Sequence, residues 1–176
     1  MLDIVDQLEN EHIKKWYKEN TSLGFLDRVV SENEYYGYVL DKKSGLLFRS
    51  PYSGEVVKNL GYTVIDIIFS IPVDLHYHTD VGEALVVKRG QGVLYTKSGS
   101  LCKEEAFSVG KSVFVPKNMP HSFRPDINDY LEISLSCTGI LHDENEVCIK
   151  RFDEFEIWNK YYKSSRLKSQ RGLNYI

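Results

Sequence analysis

The sequence predicts a mainly β protein, a sandwich or barrel with a helical segment at each end, and three observations carry that prediction. From Tyr35 onward the chain breaks into short β-branched and aromatic runs separated by glycine, proline and polar turns, which is the pattern of many short strands. In the last of these runs Leu131, Ile133, Leu135 and Cys137 alternate with Tyr130, Glu132, Ser134 and Ser136, the two-residue period of a strand with one buried face. Both ends of the chain instead repeat apolar residues at intervals of three and four, the helical period.

Taken in order, residues 3–19 place Val5, Leu8, His12 and Trp16 on one stripe widened by Ile4, Ile13 and Tyr17, which predicts one amphipathic helix docked on the body. His12 at the border of that stripe reads as a packed or solvated side chain. Strands are expected over 36–40, 46–50, 63–71, 84–88, 93–97, 111–115 and 130–137. Arg89-Gly90-Gln91-Gly92 and Lys97-Ser98-Gly99-Ser100 have the residue types of tight hairpin turns, because glycine accepts positive φ. Over 152–162, Phe155, Trp158, Tyr161 and Tyr162 recur at helical spacing, a docking face. The expected organisation is a helical extension over 1–34, a β-barrel over 35–142, and a helical segment with a basic tail over 143–176.

A chain of 176 residues with 42% hydrophobic composition supports one substantial core and is short for two domains. Its net charge of -3 offers no general attraction to nucleic acid or anionic lipid, so neither is an expected partner. The basic run Lys163, Arg166, Lys168 and Arg171 reads as a solvated end. Cys102, Cys137 and Cys148 are odd in number and lack metal or redox spacing, which fits a reducing compartment. Acids at the start of the chain and the lack of an apolar run of roughly 18 residues make a soluble, cytoplasmic protein the expectation.

The chemistry concentrates in two stretches, His76-Tyr77-His78-Thr79-Asp80-Val81-Gly82-Glu83 and Pro116-Lys117-Asn118-Met119-Pro120-His121. Residues two apart on a strand share a face, so His76 and His78 can point to one place while Tyr77 faces away. Val81-Gly82 can turn the chain so that Glu83 returns to that face, and Pro116 and Pro120 stiffen the turn presenting His121. Three imidazole nitrogens and one carboxylate oxygen suit one divalent transition metal, Fe, Mn, Ni, Co or Zn, and leave positions open for small molecules. Glu132, Tyr130 and Tyr95 are the visible candidates for a general base on a barrel wall.

These stretches resemble the two motifs of the cupin superfamily, in its small, single-domain, three-histidine-one-glutamate form. The first is commonly written G-x5-H-x-H-x3-4-E-x6-G, and Ser70 stands at its first glycine with His76, His78, Glu83 and Gly90 in register. The second, G-x5-P-x-G-x2-H-x3-N, is matched by Gly110, Pro116 and His121, with Asn118 at the inner glycine and Pro125 at the final asparagine. The resemblance covers 62–137 closely and implies a double-stranded β-helix, or jelly roll, with a metal in the barrel mouth. It implies no particular reaction. The leading expectation is an oxygen-dependent, dioxygenase-type oxidoreductase acting on a small polar metabolite. Its alternatives are a metal-dependent isomerase or lyase on a carbohydrate or organic acid, and a non-catalytic metal-assisted binder or sensor. A homodimer is expected through sheet edges, to which residues 35–57 could contribute.

Overall fold

The computed structural model describes residues 3–50, 63–139 and 143–172. Eleven strands among them form two antiparallel sheets. The strands are β1 (Val39–Asp41), β2 (Leu46–Arg49), β3 (Thr63–Phe69), β4 (Leu75–His78), β5 (Glu83–Arg89), β6 (Gln91–Ser98), β7 (Leu101–Ser108), β8 (Ser112–Val115), β9 (His121–Pro125), β10 (Leu131–Cys137) and β11 (Glu146–Lys150). One sheet runs β1-β2-β3-β10-β5-β8 and the other β11-β4-β9-β6-β7. Between them lies an apolar core of Ile67, Phe69, Leu85, Leu94, Phe123 and Ile133 with their neighbours. The period-two pattern of β10 places Leu131, Ile133 and Leu135 in this core, as its alternation predicts.

A second apolar cluster sits outside the barrel, beneath the helices. The single helix expected over 3–19 is broken in two: a 3-10 turn at Ile4–Gln7 and then α1 at Glu11–Asn20. The break has a local cause. The Asp3 side chain accepts from the Val5 amide, and Asn10 accepts from the amides of His12 and Ile13, so both polar residues cap short elements instead of continuing one helix. Then α2 (Phe25–Glu34) follows Gly24, whose φ of 72° suits the residue lacking a Cβ, and buries Phe25, Leu26, Val29 and Asn33. At the far end α3 (Glu156–Gly172) docks through Trp158 and Tyr162, with Phe152 and Phe155 from the chain just before it. Each large side chain buried this way contributes roughly 1.5–3 kcal/mol.

The strand expectations needed four additions. β4, β7, β9 and β11 form where no strand span was assigned, although the His-x-His spacing already implied strand geometry at β4, and part of the expected upstream edge, residues 51–57, lies outside the described residues. β7 is an edge strand whose Lys103, Glu104 and Glu105 show none of the apolar alternation of a half-buried strand. β11, in the segment expected to be helical, pairs with β4 and extends the second sheet. The turn at 97–100 closes the expected β6–β7 hairpin, but Gly90 instead carries the chain from β5 in one sheet to β6 in the other, and it is held to its residue type by space as well as by a φ of 79°: an added Cβ would lie 1.8 Å from the Tyr130 carbonyl oxygen.

Candidate metal centre

Strand alternation does what the His-x-His spacing predicts: His76 and His78 of β4 are buried, while Tyr77 between them is half-buried. Glu83 opens β5 and His121 opens β9, with His121 directly across from His76 in the β4–β9 pair. One ligand atom from each of the four lies within 4.8 Å of the others. All four are closed from solvent, His76 at 6%, His78 at 4%, Glu83 at 3% and His121 at 1% exposure. The four residues singled out in the sequence thus meet at one point.

The turn before His121 also explains how the motif departures are absorbed. Asn118 adopts a φ of 62°, the left-handed conformation for which the motif uses glycine and which asparagine tolerates. Its amide donates to the His78 carbonyl at 2.7 Å, tying the turn directly to β4. Ser70, at the other missing glycine, lies 2.6 Å from the Tyr17 hydroxyl in a buried hydrogen bond. That contact fastens α1 to the barrel.

The surrounding hydrogen bonds orient the rings. His76 Nδ1 donates to the Asp74 carbonyl at 2.7 Å and His121 Nδ1 to the Met119 carbonyl at 3.0 Å. A carbonyl only accepts, so each neutral ring carries its proton on Nδ1 and turns a bare Nε2 inward, the arrangement of a ligating histidine. Burial, reinforced by the neighbouring His121, holds the His76 pKa down to about 3, so this ring stays neutral. Burial alone would raise the Glu83 carboxyl, but the His121 and His78 rings beside it outweigh that and hold it well below the usual carboxylate range. For His78 burial pulls downward, and the Glu83 carboxylate reverses the direction and raises it.

These four residues fit a divalent transition metal on grounds of local chemistry. Both ring nitrogens of His78 are buried without a hydrogen-bond partner among the described residues, although Nε2 lies 3.3 Å from Glu83 Oε1. Buried polar atoms left in this way need an explanation. A cation accepting three nitrogens and a carboxylate oxygen provides one.

The cluster lines a cavity of about 470 Å³. Its buried walls include Ile67, Phe69, Ile71, Phe123 and Leu135, and its solvent-facing side chains include His12, Asp41, Lys43, Glu146 and Arg151. His12 supplies no ligand atom to the cluster. Its ring lies 3.5 Å from Asp153 and 3.4 Å from Arg151, between α1 and the chain entering α3.

The expected barrel-wall bases are elsewhere. Glu132 projects from the opposite face of β10, where Tyr38 donates to it at 2.6 Å and Arg89 donates to its other oxygen. Tyr130 packs under the outer cluster beside Arg89. Tyr95 packs on Phe155 with ring centroids 5.1 Å apart and gives its hydroxyl proton to Cys102. None of the three is among the described residues lining the cavity. The reason is the strand period: each follows or precedes an inward residue, Leu131 or Leu94, and so faces out. Three acids of the lining were not singled out in the sequence, Asp41, Asp74 and Glu146, the last on the strand position directly opposite His78.

No protein-family model matches the chain, and a search of curated proteins returns no match. Solved structures do match. A variant of Streptomyces PAC13 with uridine superposes with a TM-score of 0.51 at 17% identity, covering 68% of this chain and 89% of that one. Another structure of the same protein, described as Pac13, a unique nucleoside dehydratase, gives a TM-score of 0.50 at 17% identity over 66% and 88%. Bacillus subtilis oxalate decarboxylase gives 0.49 at 14% identity, covering 59% of this chain and 27% of that one. At these identities the PAC13 likeness speaks for the fold alone. With two antiparallel sheets closed around a buried three-histidine, one-glutamate cluster, the chain has the cupin fold.

Proposed function

We propose that the protein is a metal-dependent enzyme acting on a small molecule, and that its reaction is an oxygen-dependent oxidation or cleavage of the dioxygenase type. One observation supports this above others: among the described residues, the buried part of the cavity contains no acid or base besides His76, His78, Glu83 and His121. Proton-transfer chemistry needs a side chain within hydrogen-bond reach of the reacting atoms, and the buried walls supply none beyond the ligand set. A divalent metal held by those four would supply Lewis-acid or redox chemistry with positions left open for substrate and oxygen. Glu83 contributes one compensating negative charge. The carbonyls of Asp74 and Met119 hold two of the rings in place, and the apolar walls exclude water from the reacting end. The same reading keeps the cytoplasmic homodimer expected from the sequence, which sedimentation equilibrium would check.

A second reading, a metal-dependent isomerase or lyase on a carbohydrate or organic acid, is supported by Glu146. Its place opposite His78 and its share in the cavity lining make it the one described carboxylate positioned to serve as base from the edge strand. The two readings part in one experiment. Protein purified without added metal is analysed for its elements and screened for substrate-dependent oxygen uptake. The first reading expects stoichiometric metal and turnover that stops under strict anaerobiosis. Full anaerobic turnover that is lost in Glu146→Gln would replace it with the second.

A further inference from the structure

The walls of the cavity also bear on what kind of molecule enters it. Apart from the four clustered residues, every buried side chain in the described lining is apolar, with Ile67, Phe69, Ile71, Phe123 and Leu135 among them. Every other polar side chain in that lining keeps contact with solvent. The Asp74 carboxylate, two residues before His76, already accepts from the Phe152 amide at 2.6 Å. A bound molecule therefore meets polar partners at the mouth and at the cluster, and apolar surface between. Across that surface each hydroxyl stripped of water without a partner costs roughly 5- to 150-fold in affinity. Each buried methylene instead gains about fourfold.

We infer that the part of the substrate inside the cavity is polar only where it meets the cluster: a chelating head with two oxygen donors, of the catecholate, α-keto acid or hydroxamate kind, carrying an aryl or alkyl body. The body lies against the aromatic side of the cavity formed by Phe48, Phe69 and Phe123, where Phe69 and Phe123 already meet edge to face at 4.5 Å. This rests on the metal reading above. It narrows the polar metabolite expected from the sequence, and it sets polyhydroxylated bodies such as sugars against the site.

The test holds the head constant and changes the body. Protein loaded with manganese(II), its stoichiometry fixed beforehand by elemental analysis, is titrated calorimetrically with acetohydroxamate, benzohydroxamate and gluconohydroxamate. Benzohydroxamate should bind at least tenfold more tightly than acetohydroxamate, with gluconohydroxamate no tighter than acetohydroxamate. Gluconohydroxamate matching or exceeding benzohydroxamate, or all three binding alike, overturns the inference. Failure to take up manganese at all overturns the metal reading instead, and is seen before any hydroxamate is added. Phe48→Gln, on a half-buried position of a short strand, should weaken benzohydroxamate several-fold and leave acetohydroxamate unchanged. Equal affinity of benzohydroxamate for that variant and the parent would remove the aromatic wall from recognition and overturn the inference.

Discussion

A buried ionic cluster lies on each side of the six-stranded sheet, and the two are built on different principles. On its outer face Asp66 and Glu132 are each met by cations: Arg49 and Lys88 reach Asp66 at 2.7 and 3.2 Å, and Arg89 binds Glu132 while Arg49 approaches it at 3.7 Å. Tyr38 and Asn33 complete that network, so every charge has a protein partner. On the inner side Glu83 meets only histidines, and the inward ring nitrogens are electron-pair donors. Both clusters contain buried carboxylates, and burial alone does not tell them apart. A carboxylate surrounded by cationic side chains is part of the fold, whereas one surrounded by neutral nitrogen donors fits an added cation.

The sharpest way to break this comparison is to remove ligands from the inner cluster. His78→Ala and His121→Ala should each lower metal affinity on the order of 100-fold or more, beyond the 10- to 100-fold typical of outer-shell changes. The β circular dichroism should survive. Full metal occupancy in both variants would dissolve the distinction. Removing the outer cover should do the reverse: Trp16, 8% exposed and packed edge-on against Tyr17 and Tyr162, is worth about 3–5 kcal/mol against alanine. Trp16→Ala should unfold at lower denaturant with one metal per chain retained, and selective loss of metal at unchanged stability would contradict the division.

Smaller effects sharpen the outer cluster itself. Glu132→Gln leaves Arg89 without its carboxylate, while Arg49 keeps Asp66, and should cost about 2–3 kcal/mol, below the 3–5 of a fully buried pair because the Arg89 side chain is 41% exposed. Metal content measured on the same sample should not change. The smallest effect is a pH dependence. Burial would raise the Asp66 carboxyl, but Arg49 and Lys88 outweigh it and lower it in the folded protein. A carboxyl lowered on folding stabilises above its unfolded value, near the ordinary aspartate range of about 4, and that contribution is lost as pH falls through the folded value. Urea midpoints should therefore fall more steeply with acid for the parent than for Asp66→Asn. Parallel acid profiles would remove Asp66 from the network.

The sequence made the inner cluster legible because its geometry is local. His-x-His needs only the strand period, and the proline-stiffened turn to His121 needs only backbone restriction, so residues close in sequence carry most of the site. The base candidates failed for a related reason. The alternation that places Leu131 and Ile133 inside also sends Glu132 outside, and that consequence was available from the period alone. What the sequence could not supply were the long-range pairings. Glu146 reaches the cavity only through the match of β11 to β4, although Val147 and Ile149 alternating with Glu146 and Cys148 are a short strand pattern. β7 stayed illegible because its first four residues are exposed on both faces of an edge strand and carry no apolar signature. The break before α1 depended on whether Asn10 would cap or continue a helix, which tertiary contacts decide.

The place of β11 beside β4 has a consequence for how the protein is made. β4 lies between β9 and β11, so the strand bearing two of the four clustered histidines and carboxylates gains its second neighbour only when residues 146–150 arrive. Chains grow at roughly 5–20 residues per second, and several seconds therefore separate the emergence of His76 and His78 from that of their flanking strand. The growing chain holds imidazoles before it holds a rigid site. A chain lacking residues 146–150 should therefore hold a metal more weakly than the full sequence does.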